Sequence, residues 1–496
     1  MNKQFTFIDL FSGIGGFHKA LVNNGGKCLG YSEINRDAIE VYCDNFNEKK
    51  ENNLGDIRKI DDLPNHDLLT AGVPCQSWSI AGKNLGFEDD RGQLWNDTIY
   101  LLEKSKPKAF IFENVKGLVD PRNREALDYI LRRIKEAGYY ANYFVVNSAD
   151  YGVAQNRVRI YIIGFKEERY FQKFQLSKVS DKKVKLADIL DIKLESTPVN
   201  EAKVVETSMS LSSKNGYNDY FLFNDLRNGK TTIHSWDIIE TTEREKELCY
   251  LLLKNRRKSM YGKLDGNPLS LEHFKTLDLS VEESELEKLV ELEIFKRVEY
   301  VFSIKSKDSK ELSLEENLLL EQSKENKLFV DELKTNKKLK VHKVSILKVI
   351  AGLKEKNIIK VIEFRYEFKN SKISTGLFGI NRIFLPTADT FPTLVASDTN
   401  DYISLKQIIP KSDEQYKKVF MEEVYNCNNY RKITKEEACL IQGFPKDFKL
   451  PISRNRWMKL IGNSVSIPVI EKLCHAILET GVFEFNIKKE NNKLSA

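Results

Sequence analysis

Four side chains have types and surroundings suited to covalent and proton-transfer chemistry. Cys75 follows Pro74 in AGVPCQSWSIAG, at the carboxyl end of an apolar run, where open α/β sheets usually carry their ligand chemistry. A cysteine is ordinarily a small buried hydrophobe, whereas one in a loop after proline is placed to act as a nucleophile. In FIFENV, Glu113 and Asn114 end a strongly apolar strand. A carboxyl emerging there is partly desolvated, which raises its pKa toward that of a proton donor, unless it only caps a following helix. Arg157 and Arg159 lie two apart in AQNRVRIYIIGF, at the expected start of a strand. Both then face one side, where guanidiniums could hold a phosphate or a base carbonyl.

A second set of residues suggests what binds beside them. In DLFSGIGGF, Asp9 and Leu10 close a strand, and Gly13, Gly15 and Gly16 precede a helix. Such a turn lets backbone approach a ligand, or simply pack tightly. Glu33 in YSEIN ends the next strand about 20 residues on, where a carboxylate can accept both ribose hydroxyls. Asp56 in GDI follows a third turn and could accept from an adenine amine. Either acid alone could be a solvated loop residue or a helix cap. Their order on consecutive strand ends describes an adenosyl pocket. The glycines do not complete the GxGxxG suited to a pyrophosphate, which favours a nucleoside ligand without phosphates, such as S-adenosyl-L-methionine, over NAD.

These residues need a scaffold, and the text from Phe5 to about Phe165 describes one. Short apolar runs, among them FTFIDL, CLGYSEI, LLTAGV, AFIFENV and RIYIIGF, alternate with amphipathic stretches such as EALDYILRRIKEAG. That alternation predicts βαβ units and an α/β, Rossmann-like, mostly parallel sheet. From about 190 to 390 the text turns Lys/Glu-rich and helical. LEKLVELEIFKRVEYVF and ILKVIAGLKEKNIIKVIEFRYEF each read as helix, break, strand, an order compatible with winged-helix-like elements or with ordinary α+β packing. The expected division is 1–190 for the catalytic and cofactor-binding domain, an inserted α+β target-recognition domain over 191–390, and a return segment over 391–496. The return segment ends in a predicted helix, IPVIEKLCHAILETG.

Composition bounds the setting. With 496 residues, 41% hydrophobic and 30% charged, the chain can build more than one core. No apolar run reaches membrane-spanning length, and the amino terminus lacks a signal-peptide layout, so a cytoplasmic protein with no membrane partner is expected. A net charge of +6 is mild, so a polyanion must meet local basic surface. The cysteines at 28, 43, 75, 249, 427, 439 and 474 form no CxxC pair and no zinc spacing. No disulfide framework and no metal are therefore expected, and only Cys75 is given a role.

The ordered set FSGIGGF, YSEIN, GDI, GVPCQSWS, RGQLW, FENV, QNRVR, RKITKEEACLIQGFP and GNSVSIPV spans about residues 5 to 470. In content and order it resembles the bacterial DNA (cytosine-5)-methyltransferases of type II restriction-modification systems. The resemblance implies S-adenosyl-L-methionine as cofactor, bound by Phe11, Gly13, Gly16, Glu33, Asp56, Asn463 and Val465. It implies Cys75 as the nucleophile that adds to cytosine C6, Glu113 as the acid that engages the base, and Arg157 and Arg159 as the active-site arginine pair. One departure is Ile34, where members often carry an aromatic residue that packs on adenine. The small residues after Cys75, with Gly82, Gly86 and Gly92, fit a loop that closes over a flipped base. Double-stranded DNA is the implied partner, read by the middle region up to a TLVA element at Thr393 and Leu394. KNRRK from Lys254 and TNKKLKVHK from Thr335 could contact phosphate, or be solvated faces. A monomer is expected, with a cognate restriction endonuclease as a functional but not physical partner. An RNA cytosine-5 methyltransferase, a catalytically silent DNA-binding protein and an NAD-dependent dehydrogenase are the alternatives.

Overall fold

The apolar runs form strands because parallel strands covered on both faces have no polar side to present. The computed structural model describes residues 5–74, 90–176, 184–192, 220–222, 232–305, 312–369, 379–408 and 412–484. They fall in two compact units. One comprises Met1–Ala202, Phe384–Ile408 and Asn428–Ala496, the other Lys203–Ile383 and Ile409–Cys427.

The first unit begins β1 (Phe5–Leu10), α1 (Gly16–Asn23), β2 (Gly26–Ser32), α2 (Arg36–Phe46), β3 (Leu68–Gly72), α3 (Asp90–Ser105) and β4 (Ala109–Val115). It continues α4 (Arg124–Glu136), β5 (Tyr140–Asn147), β6 (Gln155–Asn156) and β7 (Val158–Phe165). Among the described residues, six of these strands make a sheet in the order β2-β1-β3-β4-β7-β5. The pairings of β1 with β2, β1 with β3 and β3 with β4 are parallel. Those of β7 with β4 and with β5 are antiparallel. The mostly parallel, Rossmann-like sheet read from the sequence is therefore present, with its reversed strand inserted next to β4.

Ile8, Leu10, Leu69, Phe110, Phe112, Ile160 and Ile162 form the sheet's share of the core, each nearly inaccessible to solvent. Burying each such side chain contributes about 1.5–3 kcal/mol. Helix α4 meets them with Ala126, Leu127, Ile130 and Ile134, the i, i+1, i+4, i+8 stripe of an amphipathic helix. Helix α2 starts where Asn35 accepts from the Ala38 N–H, and it leads the chain away from the strand end that carries Glu33. The return segment supplies the helices Lys435–Gln442, Arg454–Asn463 and Ile467–Glu479, the last packed on α1. Gly92 lies in the first turn of α3 rather than in a loop, correcting the loop assignment for that residue, while Gly82 and Gly86 lie outside the described residues.

In the second unit the two similar segments become helix Glu283–Glu291 with strand Phe295–Ile304, and helix Ile346–Glu355 with strand Ile359–Phe368. The strands pair antiparallel, Phe295 opposite Phe368 and Ile304 opposite Ile359, with Lys327–Phe329 on the other side of the first strand. Arg256, in the basic run KNRRK, is buried against the Phe368 ring and pairs with Glu367 at 3.4 Å. It is a core residue there, which corrects its reading as a phosphate contact. Helix Lys337–Val341 keeps its lysines exposed over a buried Leu339. Among the described residues no helix is long and apolar enough to cross a membrane.

Asp9, on the last turn of backbone before the glycine loop, is fully buried and accepts from Thr70 Oγ1 at 3.0 Å. Burial pushes its carboxyl up to about 8, from an ordinary value near 3.8. Between those values the folded chain keeps a proton that the unfolded chain releases, so this group makes stability fall as pH rises through that window. Asp9→Asn is expected to flatten that dependence. Relative to the unsubstituted protein, its urea midpoint should improve between pH 5 and pH 8, by the equivalent of about 1 kcal/mol or more.

Candidate active site

A single antiparallel insertion builds the site. Because β7 runs opposite to β4, its amino end lies at the edge where the parallel strands finish, and Val115 is paired with Arg159. Glu113, two residues earlier on β4, is a diagonal neighbour of Arg159 on the same face. The Arg159 Nε lies 3.1 Å from Glu113 Oε1, with both side chains largely buried. Burial raises the Glu113 pKa, outweighing the opposing pull of Arg159 and Arg157. The pair thus combines a carboxyl that holds its proton to higher pH than an exposed one with a fixed cation beside it. Asn114, buried, donates from Nδ2 to the Val73 carbonyl at 3.1 Å and ties the end of β4 to the segment leading to Pro74. Cys75 lies outside the described residues; Pro74 lies on the pocket wall.

That wall encloses a cavity of about 430 Å³ along the carboxyl ends of β1 to β4. Phe11 and Gly13 line it from the first turn, Glu33 and Ile34 from the second, Asp56 and Arg58 from the third, and Glu113, Arg159 and Asn463 complete it. Phe11 and Gly13 both have positive φ, 53° and 55°. Open space surrounds the position of a Cβ on Gly13, so the turn is shaped to leave room on the pocket side. Glu33 fixes this turn from the next strand end. Its Oε2 accepts from the Gly13 N–H at 2.9 Å, while Oε1 accepts from the N–H groups of Ile34 and Asn35.

Asp56 also borders the pocket, but its carboxylate is already gripped by Arg58, with Nη2 to Oδ2 at 2.6 Å and Nε to Oδ1 at 3.0 Å. It further caps the short turn that follows by accepting from the Arg58 N–H. The Arg58 guanidinium holds the Asp56 carboxyl below the usual range. The cap that the sequence offers for Asp56 is thus present, and Arg58, two residues on, is a partner that the Asp-x-Arg spacing across a tight turn makes legible. Ile34 stands on the rim, 68% exposed.

The expected arginine pair divides. Arg159 faces the pocket chemistry through Glu113, whereas Arg157 is 3% exposed and spends its guanidinium on the backbone carbonyls of Leu394, Gly462 and Ser464. A guanidinium buried against three carbonyls has most of its donors engaged there, and Arg157 also borders the cavity. Thr393, of the TLVA element, donates to the Asn156 carbonyl at 2.6 Å, and Phe391 pairs in parallel with Gln155. Ser464 and Val465 press on the first glycine loop: a Cβ on Gly16 would lie 2.7 Å from Val465 Cγ2 and 2.8 Å from Ser464 Oγ. The carboxyl-terminal segment is thereby brought beside the amino-terminal turn. Among the described residues no group of three or more His, Cys, Asp and Glu could hold a metal ion.

A sheet of this order, with its pocket at the strand ends between a glycine turn and consecutive acids, defines the Rossmann-like methyltransferase class. The chain belongs to the C-5 cytosine-specific DNA methylase family, whose model matches residues 5–479, and it is a DNA (cytosine-5-)-methyltransferase. It is 40% identical to the type II methyltransferase M.HgiBI of Herpetosiphon aurantiacus, over 97% of this chain and 98% of that protein. It is 31% identical to M.NlaIV of Neisseria lactamica, over 96% of this chain and all of that protein. With M.HhaI of Haemophilus parahaemolyticus the identity is 38%, over 42% of this chain and 65% of that protein.

The contact at Gly16 can be tested by itself. In a helix, alanine is favoured over glycine by about 1 kcal/mol, yet the added methyl has no room against Ser464 and Val465. Gly16→Ala is expected to lower stability by about 1–3 kcal/mol in urea unfolding. An unchanged midpoint would mean that the segment at 464–465 yields freely.

Proposed function

We propose that the protein transfers a methyl group from S-adenosyl-L-methionine to C5 of a cytosine flipped out of double-stranded DNA, through a covalent adduct on Cys75. Protection of host DNA from a cognate restriction endonuclease is the setting that its similarity to type II methyltransferases supports. The observation that carries the reading is the buried Glu113–Arg159 pair on the wall of a nucleoside-sized cavity.

The residues present fit the cofactor. Phe11, Gly13 and Gly16 form a turn with open space on one side, Glu33 offers a carboxylate held in place by that turn, and Asn463 faces the same cavity. Asp56 would meet the adenine amine with whatever lone pairs Arg58 leaves, and Val465 braces the glycine loop from behind. When bound, S-adenosyl-L-methionine supplies an electrophilic methyl carbon.

The chain's own residues do the rest. Cytosine C5 is a poor nucleophile until a thiolate adds to C6, so Cys75 forms that bond and drives an electron pair toward N3 and O2. Glu113, whose pKa burial raises, donates to N3 as charge arrives there, and Arg159 holds O2. C5 then takes the methyl as the methyl–sulfur bond breaks to leave a neutral thioether, N3 gives its proton back to Glu113, and loss of the C5 proton to water returns the pair that expels Cys75 as thiolate. Arg159 at 3.1 Å keeps Glu113 aimed throughout, a fixed arrangement that needs no reorganisation during reaction. We assign target recognition to the second unit, whose exposed lysines at 337, 338 and 340 are placed to meet phosphate.

The direct test incubates the protein with unmethylated plasmid and S-adenosyl-L-methionine and maps 5-methylcytosine by conversion sequencing, with Cys75→Ala alongside. Methylcytosine at one short motif, lost in Cys75→Ala, is the expected result; unmethylated DNA despite cofactor binding would overturn the reading. A second expectation concerns the rim. Replacing exposed Ile34 by Phe should supply the missing planar face and tighten cofactor binding by about 0.5–1.5 kcal/mol in calorimetry.

A further inference from the structure

We infer that Arg157 is a positioning residue for the cofactor half of the site, holding Asn463 at the pocket wall by gripping the backbone carbonyls on either side of it. The inference rests on the cofactor reading above. Arg157 Nη1 donates to Gly462 O at 3.2 Å and Nη2 to Ser464 O at 2.7 Å, so the residue between them is held at both shoulders. Gly462 and Asn463 line the cavity. Nη1 also donates to Leu394 O at 3.1 Å, which joins a second returning segment to the same guanidinium.

The root of the clamp is immobile. The Arg157 N–H donates to Gln155 O and Asn147 Oδ1, each at 3.1 Å, and its carbonyl accepts from the Ser148 N–H at 3.0 Å. A buried amide chain backs it: Gln155 Nε2 donates to Gln442 Oε1 at 2.8 Å, and Gln442 Nε2 donates to the same Ser464 carbonyl at 2.8 Å. The segment also meets backbone. A Cβ on Gly462 would lie 2.5 Å from the Val395 carbonyl carbon and 2.6 Å from the Ala396 nitrogen, so only glycine lets the two stretches of chain close up. Tied to Arg157 and packed on residues 395–396, the 462–464 segment in turn sets Ser464 and Val465 against Gly16.

Lysine cannot substitute. Its ammonium is a single point, whereas the planar fork of arginine spans carbonyls on different segments. The entry to β7 therefore sends two cations to two halves of one pocket: Arg157 to the segment that bears Asn463, Arg159 to the acid that meets the base.

The test separates this from a base contact by where the loss falls. S-adenosyl-L-methionine binding by calorimetry, and steady-state methylation of plasmid DNA, would be compared for the unsubstituted protein, Arg157→Lys and Gly462→Ala. Arg157→Lys is expected to weaken cofactor binding and raise the cofactor KM by about tenfold or more, while kcat at saturating cofactor and the KM for DNA change less than about threefold. Gly462→Ala, which displaces the same segment by crowding the backbone at 395–396, should give the same split, and it carries the test should Arg157→Lys fail to melt cooperatively. A loss confined to kcat or to the KM for DNA, or an unchanged cofactor affinity in both variants, would overturn the inference. If the unsubstituted protein does not bind S-adenosyl-L-methionine, the cofactor reading falls and takes this inference with it; unchanged affinity in the variants, with normal binding by the parent, overturns the role of Arg157 alone.

Discussion

The reversal of β7 beside β4 is the constraint on which the rest of the site depends. In a sheet of wholly parallel strands, one edge collects carboxyl ends only, and the arginine that follows QNRV would emerge at the far side. With β7 antiparallel, Arg159 sits across from Val115 and reaches Glu113 at 3.1 Å. The charge pair is then desolvated by the same apolar strands that position it. This sets the balance at Glu113, where burial wins over two nearby guanidiniums and keeps the pKa raised. A more open setting would remove that desolvation and leave an ordinary carboxylate.

The second requirement is that the catalytic unit closes on itself across a long excursion of the chain. The elements at the amino end meet a segment beyond residue 460 at Gly16, and the sheet meets it again at Arg157. Joining such distant residues costs loop-closure entropy, although that cost grows only with the logarithm of the loop. It is offset by the apolar packing of helix Ile467–Glu479 on α1, and by a buried polar hub in which Gln155 donates to Gln442 while Arg157 and Gln442 donate to carbonyls of the returning chain. Such networks specify a single arrangement when every member is paired, and they are costly when one is removed. The pocket is thus completed by a segment far along the chain from the strands it closes upon.

The second unit is built on different terms. Its two helix–strand segments share one antiparallel pairing, with Phe295 and Phe368 packing edge to face at 5.3 Å. Its charges are partly internal: Arg256 serves the core, and Arg244 holds Asp278 and Glu285. A basic run in the sequence is therefore no guide to basic surface until burial is known. The exposed lysines of helix Lys337–Val341 and the buried guanidinium of Arg256 look alike as text.

The sequence by itself determined the elements of the sheet, the glycine turn and the consecutive acids at the strand ends, and it singled out Cys75 and Glu113 as candidates for chemistry. These are local matters: apolar runs of strand length, turns that need glycine, and polar residues at strand ends are decided within a few positions along the chain. Tertiary structure decided what each polar group touches. It gave Arg157 to three carbonyls and Arg159 to Glu113, though both stand in one motif two residues apart, because the first follows a two-residue strand paired with the returning chain and the second faces β4. It also buried Arg256. Hydrogen-bond partners come from residues tens to hundreds of positions away, brought together only when the apolar core forms, and no local pattern encodes which of two arginines will meet them.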